Sequence, residues 1–438
     1  MAGGQWTTQN KTRPGVYINF TGEGGTAGTA SGRGTMALAL SLPWGPSKQL
    51  LAIQAGDDIS ALLGYDLAAP QLLLAKEALK RSNTLLLYRL NAGVKASVTS
   101  GGLTATAKHG GSRGNDLTIV IQENIDDENV FDVKTLLSGN EVDRQTVASI
   151  TELAANDWIV FSGTGALTAT AGAPLTGGAD GTVTNQDHSD FLAAAELFEF
   201  QTIALPSTDA TLKSIYTAYI RRLREEEGKK VQAVLENYSA ADSEGVISVK
   251  NGVVLADGTT LTAAQATAWV AAATASAQMN ESLTYKAYDD AIDATPRYTN
   301  SQIEAAIVSG ELVFVPNNGR AIVEQDINTF RSFSPNKDMK FSKNRVIRVL
   351  DGIGNDVKRI FESFYVGKVD NNPDGRGLLR SEIVSYLNTL QQIGAIQNFN
   401  SQTDIAVLEG QDADSVYVEV HAQPVDSIEK IYMKVKVK

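Results

Sequence analysis

The closest approach to a catalytic motif is "HGGSRG", where Gly110-Gly111-Ser112-Arg113-Gly114 spells G-x-S-x-G directly after His109. A serine nucleophile in that setting needs a strand before it and a helix after it. The sharp turn presents the hydroxyl, and the helix amides meet the oxyanion. Here "LTIVIQEN" follows, and it alternates as a strand does, so the motif reads as a Gly-rich turn between strands. His188, in the polar segment "TNQDHSD", and His421, on the polar face of a C-terminal strand, suit cap or surface roles. "DNNPDGRGLLRSE" places Asp370, Asn372, Asp374 and Gly375 at the first, third, fifth and sixth positions of a calcium loop. The twelfth position is Ser381 where calcium needs a bidentate Glu, and Glu382 comes one residue late. An Asp/Gly turn into a helix accounts for the same residues. "GEGGTA" at 22–27 has dinucleotide-loop spacing without the flanking strand and helix that phosphate binding needs. The sequence holds no Walker A, HExxH or Cys/His array, so we expect no catalytic residue, no metal and no cofactor.

Bulk properties narrow the classes further. Apolar content of 43% and charged content of 20% are those of a soluble globular chain, and 438 residues predict several domains. There are no cysteines, which excludes disulfides and thiolate chemistry and suits folding in a cytosol. The polar start "MAGGQWTTQNKTRPG" is not a secretory signal, and no apolar run is long enough to insert in a membrane. A net charge of −12 argues against nucleic-acid binding. Residues 331–380 run against it, with eleven Lys/Arg and six Asp/Glu. That local excess suits either an acidic partner or a solvated helix face.

The elements that must position these residues form three textures. Over 35–92, and again after 183, strands such as "TMALALSL", "NTLLLYRL", "FQTIALP" and "VQAVLEN" alternate with helices such as "STDATLKSIYTAYIRRLREEEGKK". That spacing predicts a parallel sheet with covering helices. Between 93 and 182, short strands separated by Gly-rich turns predict an inserted all-β domain. From 331 the chain is helical to about 395 and then turns to strands. "ELVFVPNNGRAIVEQ" predicts a hairpin around Asn317-Asn318-Gly319.

Both ends of the chain carry strand patterns that lack an obvious partner. In "RPGVYINF", Val16, Ile18 and Phe20 alternate with Tyr17 and Asn19, and the Gly/Thr/Ala stretch 21–34 follows as a flexible linker. At the other end, Val416, Val418 and Val420 form one face of "VYVEV". In "KIYMKVKVK", Ile431, Met433, Val435 and Val437 alternate with Tyr432 and lysines. We expect the last two segments to pair as a hairpin, which alone would be marginal.

Several long stretches resemble, in order, the contractile tail sheath proteins of bacteriophages, a family shared with defective prophages and phage-tail-like bacteriocins. They are "RPGVYINF", "GSRGNDLTIVI", "FDVKTLLSGNEVDRQTV", "PLTGGADGTVT", "LADGTTLTAAQATAWVAAATA", "LTYKAYDDAIDATPRYTNSQIEAAI", "NNGRAIVEQDINTF" and "VYVEVHAQPVDSIEKIYMKVKV". The resemblance implies an α/β and α+β multidomain chain with four parts. These are an N-terminal strand and linker (1–34), a subtilisin-like α/β middle domain (35–92 plus 183–330), an outer β domain (93–182) and an inner, tube-facing α+β domain (331–438). It implies no enzyme. The subunits would polymerise as a helical homopolymer of hexameric discs around a tail tube protein, between baseplate and tail terminator proteins. Contraction would drive the tube through a bacterial envelope. The setting would be a virion or tail-like particle assembled in host cytoplasm. Terminal strands would cross between subunits, carried by Gly15, Val16, Tyr17, Ile18 and Phe20, by Val416, Val418 and Val420, and by Ile431, Met433, Val435 and Val437. Lys358, Arg359, Arg376 and Arg380 are the candidates for meeting an acidic tube surface. A hydrolase built on "GGSRG" and a surface or adhesion β module are the competing readings; neither explains strands at both termini.

Overall fold

"TMALAL" and "TLLLYR" are continuous apolar runs, the pattern of strands covered on both faces. In the computed structural model, which describes residues 2–4, 15–17 and 33–437, both are interior strands of a seven-stranded sheet. The order across that sheet is Glu311–Leu312, Val246–Val249, Gln232–Glu236, Thr202–Ala204, Thr35–Leu40, Thr84–Arg89, Leu50–Gln54. Every neighbouring pair is parallel except the last, where Leu50–Gln54 runs antiparallel to Thr84–Arg89. The described residues divide into two compact units, Gly32–Asn355 with Asp426–Lys438, and Met1–Ser31 with Asp356–Val425.

The sheet belongs to the larger unit, and helices cover both its faces. On one side lie Asn185–Glu196 and Ala210–Glu225, with Phe191, Tyr216, Ile220 and Leu223 buried. On the other lie Leu73–Leu79 and Ala263–Ser276, around Trp269. The helix Ala263–Ser276 is buried on all sides, and its alanines let it approach the sheet closely. A reciprocal cap starts it: Thr262 Oγ1 accepts from the Gln265 amide and Gln265 Oε1 accepts from the Thr262 amide. Trp269 stacks on Tyr288 at 4.3 Å and donates its indole N–H to Asp289 at 2.8 Å, so its polar edge is satisfied.

Residues between the strand Thr84–Arg89 and the helix Asn185–Glu196 form two antiparallel sheets. One has the order Asn140–Val147, Phe131–Leu137, Leu117–Glu123, Thr170–Pro174; the other has Ile159–Gly163, Leu103–Ala107, Ser97–Ser100. Alternate residues of both, including Leu103, Ile119, Ile121, Val133 and Ile159, share one core. The connection to the α/β sheet is stitched by buried polar groups. The Arg89 guanidinium donates to the Gly45 and Gly110 carbonyls, each at 2.7 Å. The Asn91 amide donates to the Leu42 and Asp180 carbonyls at 2.9 and 2.5 Å. Burial lowers Arg89 to a pKa of about 10, so it stays charged at neutral pH.

The hairpin Phe314–Asn317 with Arg320–Val323 turns on Asn318 and Gly319, both at positive φ, as a two-residue turn of matching twist requires. In the smaller unit, the end of the helix Asn344–Phe364 is followed by the helix Pro373–Gln392 and the hairpin Ile405–Glu409 with Val416–Val420. A short antiparallel pair, Ile396–Gln397 with Gln423–Pro424, closes the chain's path there. Ala2–Gly4 and Gly15–Tyr17 pair in parallel. Ile18 and Phe20, expected to continue that strand, and residues 21–32 of the linker lie outside the described residues.

One expectation is corrected. The partner of Val416–Val420 is Ile405–Glu409, and residues 427–437 form no strand within this chain. "IAVLE" is closer in sequence, and a short Gly410–Ser415 turn lets it occupy the edge that the terminal segment was expected to take. The two-residue pairing Gln423–Pro424 with Ile396–Gln397 then carries the chain away from that edge.

The tight fit around Ala263–Ser276 carries a test. Ala272→Leu should cost about 1–3 kcal/mol through overpacking, read as a lower midpoint in chemical denaturation with unchanged slope.

Candidate assembly site

The motifs that could have been catalytic have structural employment. Ser112 opens a short 3-10 turn, Ser112–Asp116, that leads into the strand Leu117–Glu123, so no helix follows it. Its amide donates to Asp180 Oδ1 at 2.6 Å, tying the turn to the end of the inserted segment. The His109 ring packs edge-on against Trp44 at 5.3 Å. His188 is buried, where a cap or surface place was expected, and its Nδ1 shares a hydrogen bond with the Tyr216 hydroxyl at 3.0 Å. His421 is exposed, 3.5 Å from Glu419. The calcium-like "DNNPDG" is a helix start. Asn372 accepts from the Gly375 amide at 2.8 Å, and Pro373 occupies the first turn. Gly375 is required by close packing, since a Cβ there would sit 2.0 Å from the Asp370 carbonyl oxygen. Asn371 donates to the Ala413 and Ser415 carbonyls at 2.8 and 2.9 Å. The motif thus holds the turn that feeds Val416–Val420.

That hairpin is the smaller unit's exposed feature. Ile405 pairs with Val420 and Glu409 with Val416, and among the described residues these two strands form a sheet by themselves. Val416, Val418 and Val420 are half-buried, while Tyr417 and Glu419 between them are exposed. Each strand therefore keeps an outer edge of backbone donors and acceptors without a ladder partner, the arrangement that accepts an added strand. An open groove of about 590 Å³ lies beside it, lined by Phe361, Tyr365, Val369, Arg376, Leu379 and Val416. In the larger unit, residues 430–437 are exposed, with Ile431, Met433, Val435 and Val437 each at least 77% accessible. Four alternating apolar side chains left in water have the composition of a strand that lacks its sheet.

The basic candidates are partnered within the smaller unit. Lys358 lies 4.0 Å from Glu362 and Arg359 3.4 Å from Asp356. Arg376 donates to Asn371 Oδ1 at 3.0 Å and lies 3.6 Å from Glu409. Arg380 donates to the Ser401 carbonyl. The structure does not gather the four into one cluster of free charge.

Four family models match consecutive parts of the chain. They are the tail sheath protein Gp18 domain III N-terminal region (33–90), the phage tail sheath protein beta-sandwich domain (91–180), the phage tail sheath protein central domain (181–329) and the phage tail sheath C-terminal domain (336–438). The phage-like element PBSX protein XkdK of Bacillus subtilis is 39% identical over 100% of both chains. The chain belongs to the phage tail sheath family. A solved sheath tail protein from Desulfitobacterium hafniense is 62% identical, with a TM-score of 0.88 over 97% of this chain and 100% of that one. The helical sheath of the anti-feeding prophage, solved in its contracted state, shares the fold at 13% identity, with a TM-score of 0.57 over 98% of this chain and 100% of that one. A tail sheath protein is thus a mixed α/β multidomain chain with a β-sandwich, and a component of a phage tail or tail-like particle. The family is structural rather than enzymatic.

Sequence reasoning missed two features. The strand "IAVLE" carried a signal, an apolar run bounded by Asp404 and Gly410. The attachment of Glu429, described below, carried none.

Burial depresses the pKa of His109 to about 4, with help from the charges of Lys108, Arg89 and Lys95; burial also lowers His188. Each is neutral when folded and takes up a proton more readily when unfolded. Stability is therefore complete above about pH 6.5 and falls as the solution is acidified, by up to about 1.4 kcal/mol per pH unit for His109. Denaturation midpoints between pH 6.5 and 5 should decline, and more gently in His109→Phe. Equal slopes would refute the assignment.

Proposed function

We propose that this chain polymerises as a helical sleeve of stacked hexameric discs around a tail tube. Contraction of the sleeve would then drive the tube through a bacterial envelope. The observation that carries this reading is the pairing of opposite deficits: an open-edged hairpin in one unit and an unpaired, alternating segment at 430–437 in the other. Strand addition between copies would satisfy both. Main-chain hydrogen bonds would give strength, and the apolar alternation would fix register, since a one-residue slip turns every valine to water.

In this reading the exchange strands use Gly15, Val16, Tyr17, Ile18 and Phe20 together with Val416, Val418 and Val420 and the terminal Ile431, Met433, Val435 and Val437. The α/β middle domain (35–92 plus 183–330) is subtilisin-like, the β insertion (93–182) lies outside, and 331–438 with the N-terminal strand lies inside against the tube. Lys358, Arg359, Arg376 and Arg380 face an acidic tube surface, and baseplate and terminator proteins bound the sleeve. Assembly takes place in the host cytoplasm. Contraction is a rigid-body rearrangement of subunits from a metastable extended state, with no nucleotide consumed. The likeness to a sheath solved in its contracted state supports this reading.

Two measurements test it. Deleting residues 430–438 should leave a folded protein that forms no tubes in negative-stain microscopy under conditions where the full chain does; tubes formed by the truncated chain would sink the exchange model. Replacing Lys358 and Arg359 together with Glu should weaken capture of the tube protein at low salt while sheath self-assembly persists. Undiminished capture would remove those residues from the tube interface.

A further inference from the structure

Residues 426–437 associate with the larger unit, and one side chain accounts for their polar attachment. The Glu429 carboxylate accepts from Thr284 Oγ1 at 2.8 Å on one oxygen. The other oxygen accepts from Gln325 Nε2 at 2.6 Å and pairs with the Lys343 ammonium. Its side chain is only 11% exposed, and that of Lys343 16%. On either side the chain is bare: Ile428 is 89% and Ile431 81% accessible. Burial alone would raise the Glu429 pKa, but hydrogen bonds from Lys343, Gln325 and Thr284 outweigh it and keep the carboxylate ionised.

The receiving groups are themselves held. Thr284 Oγ1 accepts from the Asp326 amide at 3.0 Å. The Asp326 carboxylate, 1% exposed, accepts from the Leu283 amide at 3.0 Å, from Asn344 Nδ2 at 2.9 Å and from Arg348 at 3.3 Å. Lys343 immediately precedes the helix Asn344–Phe364. So the clasp on Glu429 is built on a buried network at the root of the longest helix. Among the described residues, 430–437 make no hydrogen bond to the rest of the chain, whereas Glu429 makes several.

We propose that Glu429 is the fixed root of the C-terminal arm, a positioning residue that delivers residues 430–438 to a second copy of this chain. The inference rests on the strand-exchange reading above. With its root fixed, the arm reaches at most about 30 Å, at roughly 3.3 Å per extended residue. Release at Glu429 would lengthen the free segment to begin after Val425. By length alone this dilutes the arm's effective concentration by less than about twofold. Any larger effect must come from losing the position and direction of the root.

The experiment compares full-length protein, the 430–438 deletion, Glu429→Ala, and the exchange Lys343→Glu with Glu429→Lys. In unassembled protein, trypsin should cut after Lys430 about tenfold faster in Glu429→Ala, with unchanged thermal unfolding. The critical concentration for tube formation should rise by more than about twofold in that variant. The charge exchange adds a tryptic site at position 429, so it is read by assembly alone and should recover part of the loss in critical concentration. If the deletion still forms tubes, the exchange reading itself fails. If the deletion abolishes tubes while Glu429→Ala matches the full-length protein in critical concentration and in protection of Lys430, the anchor alone is overturned.

Discussion

The outer edge of a β-strand carries main-chain donors and acceptors that must find partners, and in this chain two such edges lie on a hairpin of only five residues per strand. A two-stranded sheet of that length has little stability of its own. It persists because the helix Pro373–Gln392 packs against the strand Ile405–Glu409, and because Asn371 fixes its turn. The same need explains the composition of the terminal segment. Valines and a methionine alternate with lysines along a stretch that has no ladder among the described residues, so its apolar face is left in water.

The larger unit is built to be rigid. The parallel sheet supplies that rigidity with buried strands and with a helix, Ala263–Ser276, packed without a solvent face. Its attachment to the β-sandwich is made by Arg89 and Asn91 donating to main-chain carbonyls, bonds whose geometry is set by backbone on both sides. Arg89 is charged and 1% exposed, so removal of its acceptors would leave a buried cation without compensation. The Glu429 clasp follows the same logic on a smaller scale, tying an otherwise free arm to groups that a buried network already holds.

Much of the architecture was legible in residue patterns. The α/β texture, the Gly-rich β insertion, the Asn318-Gly319 turn and the alternation in "VYVEV" all rest on local periodicity, and local periodicity survives folding. The pairing of that strand was not legible, because "IAVLE" and "KIYMKVKVK" are both plausible neighbours and pattern alone does not rank them. "HGGSRG" and "DNNPDG" looked chemical because short motifs of Gly, Ser, Asp and Asn serve turns and caps with the same residues that serve catalysis and metals. What separated the two was the following element: a strand after Ser112, and a capped helix after Asn372.

By itself the sequence determined the element types, the family resemblance, the absence of thiol chemistry and the alternating apolar pattern at both ends, since these depend on composition and on neighbours within a few residues. Tertiary structure alone decided which strand takes the edge of Val416–Val420 and where the C-terminal arm is rooted. Glu429 meets partners 145, 104 and 86 positions away, on three separate segments. No window of sequence contains that convergence. A hydrogen bond of this kind forms only after the hydrophobic core has brought the three segments together, so its existence is a property of the packed molecule.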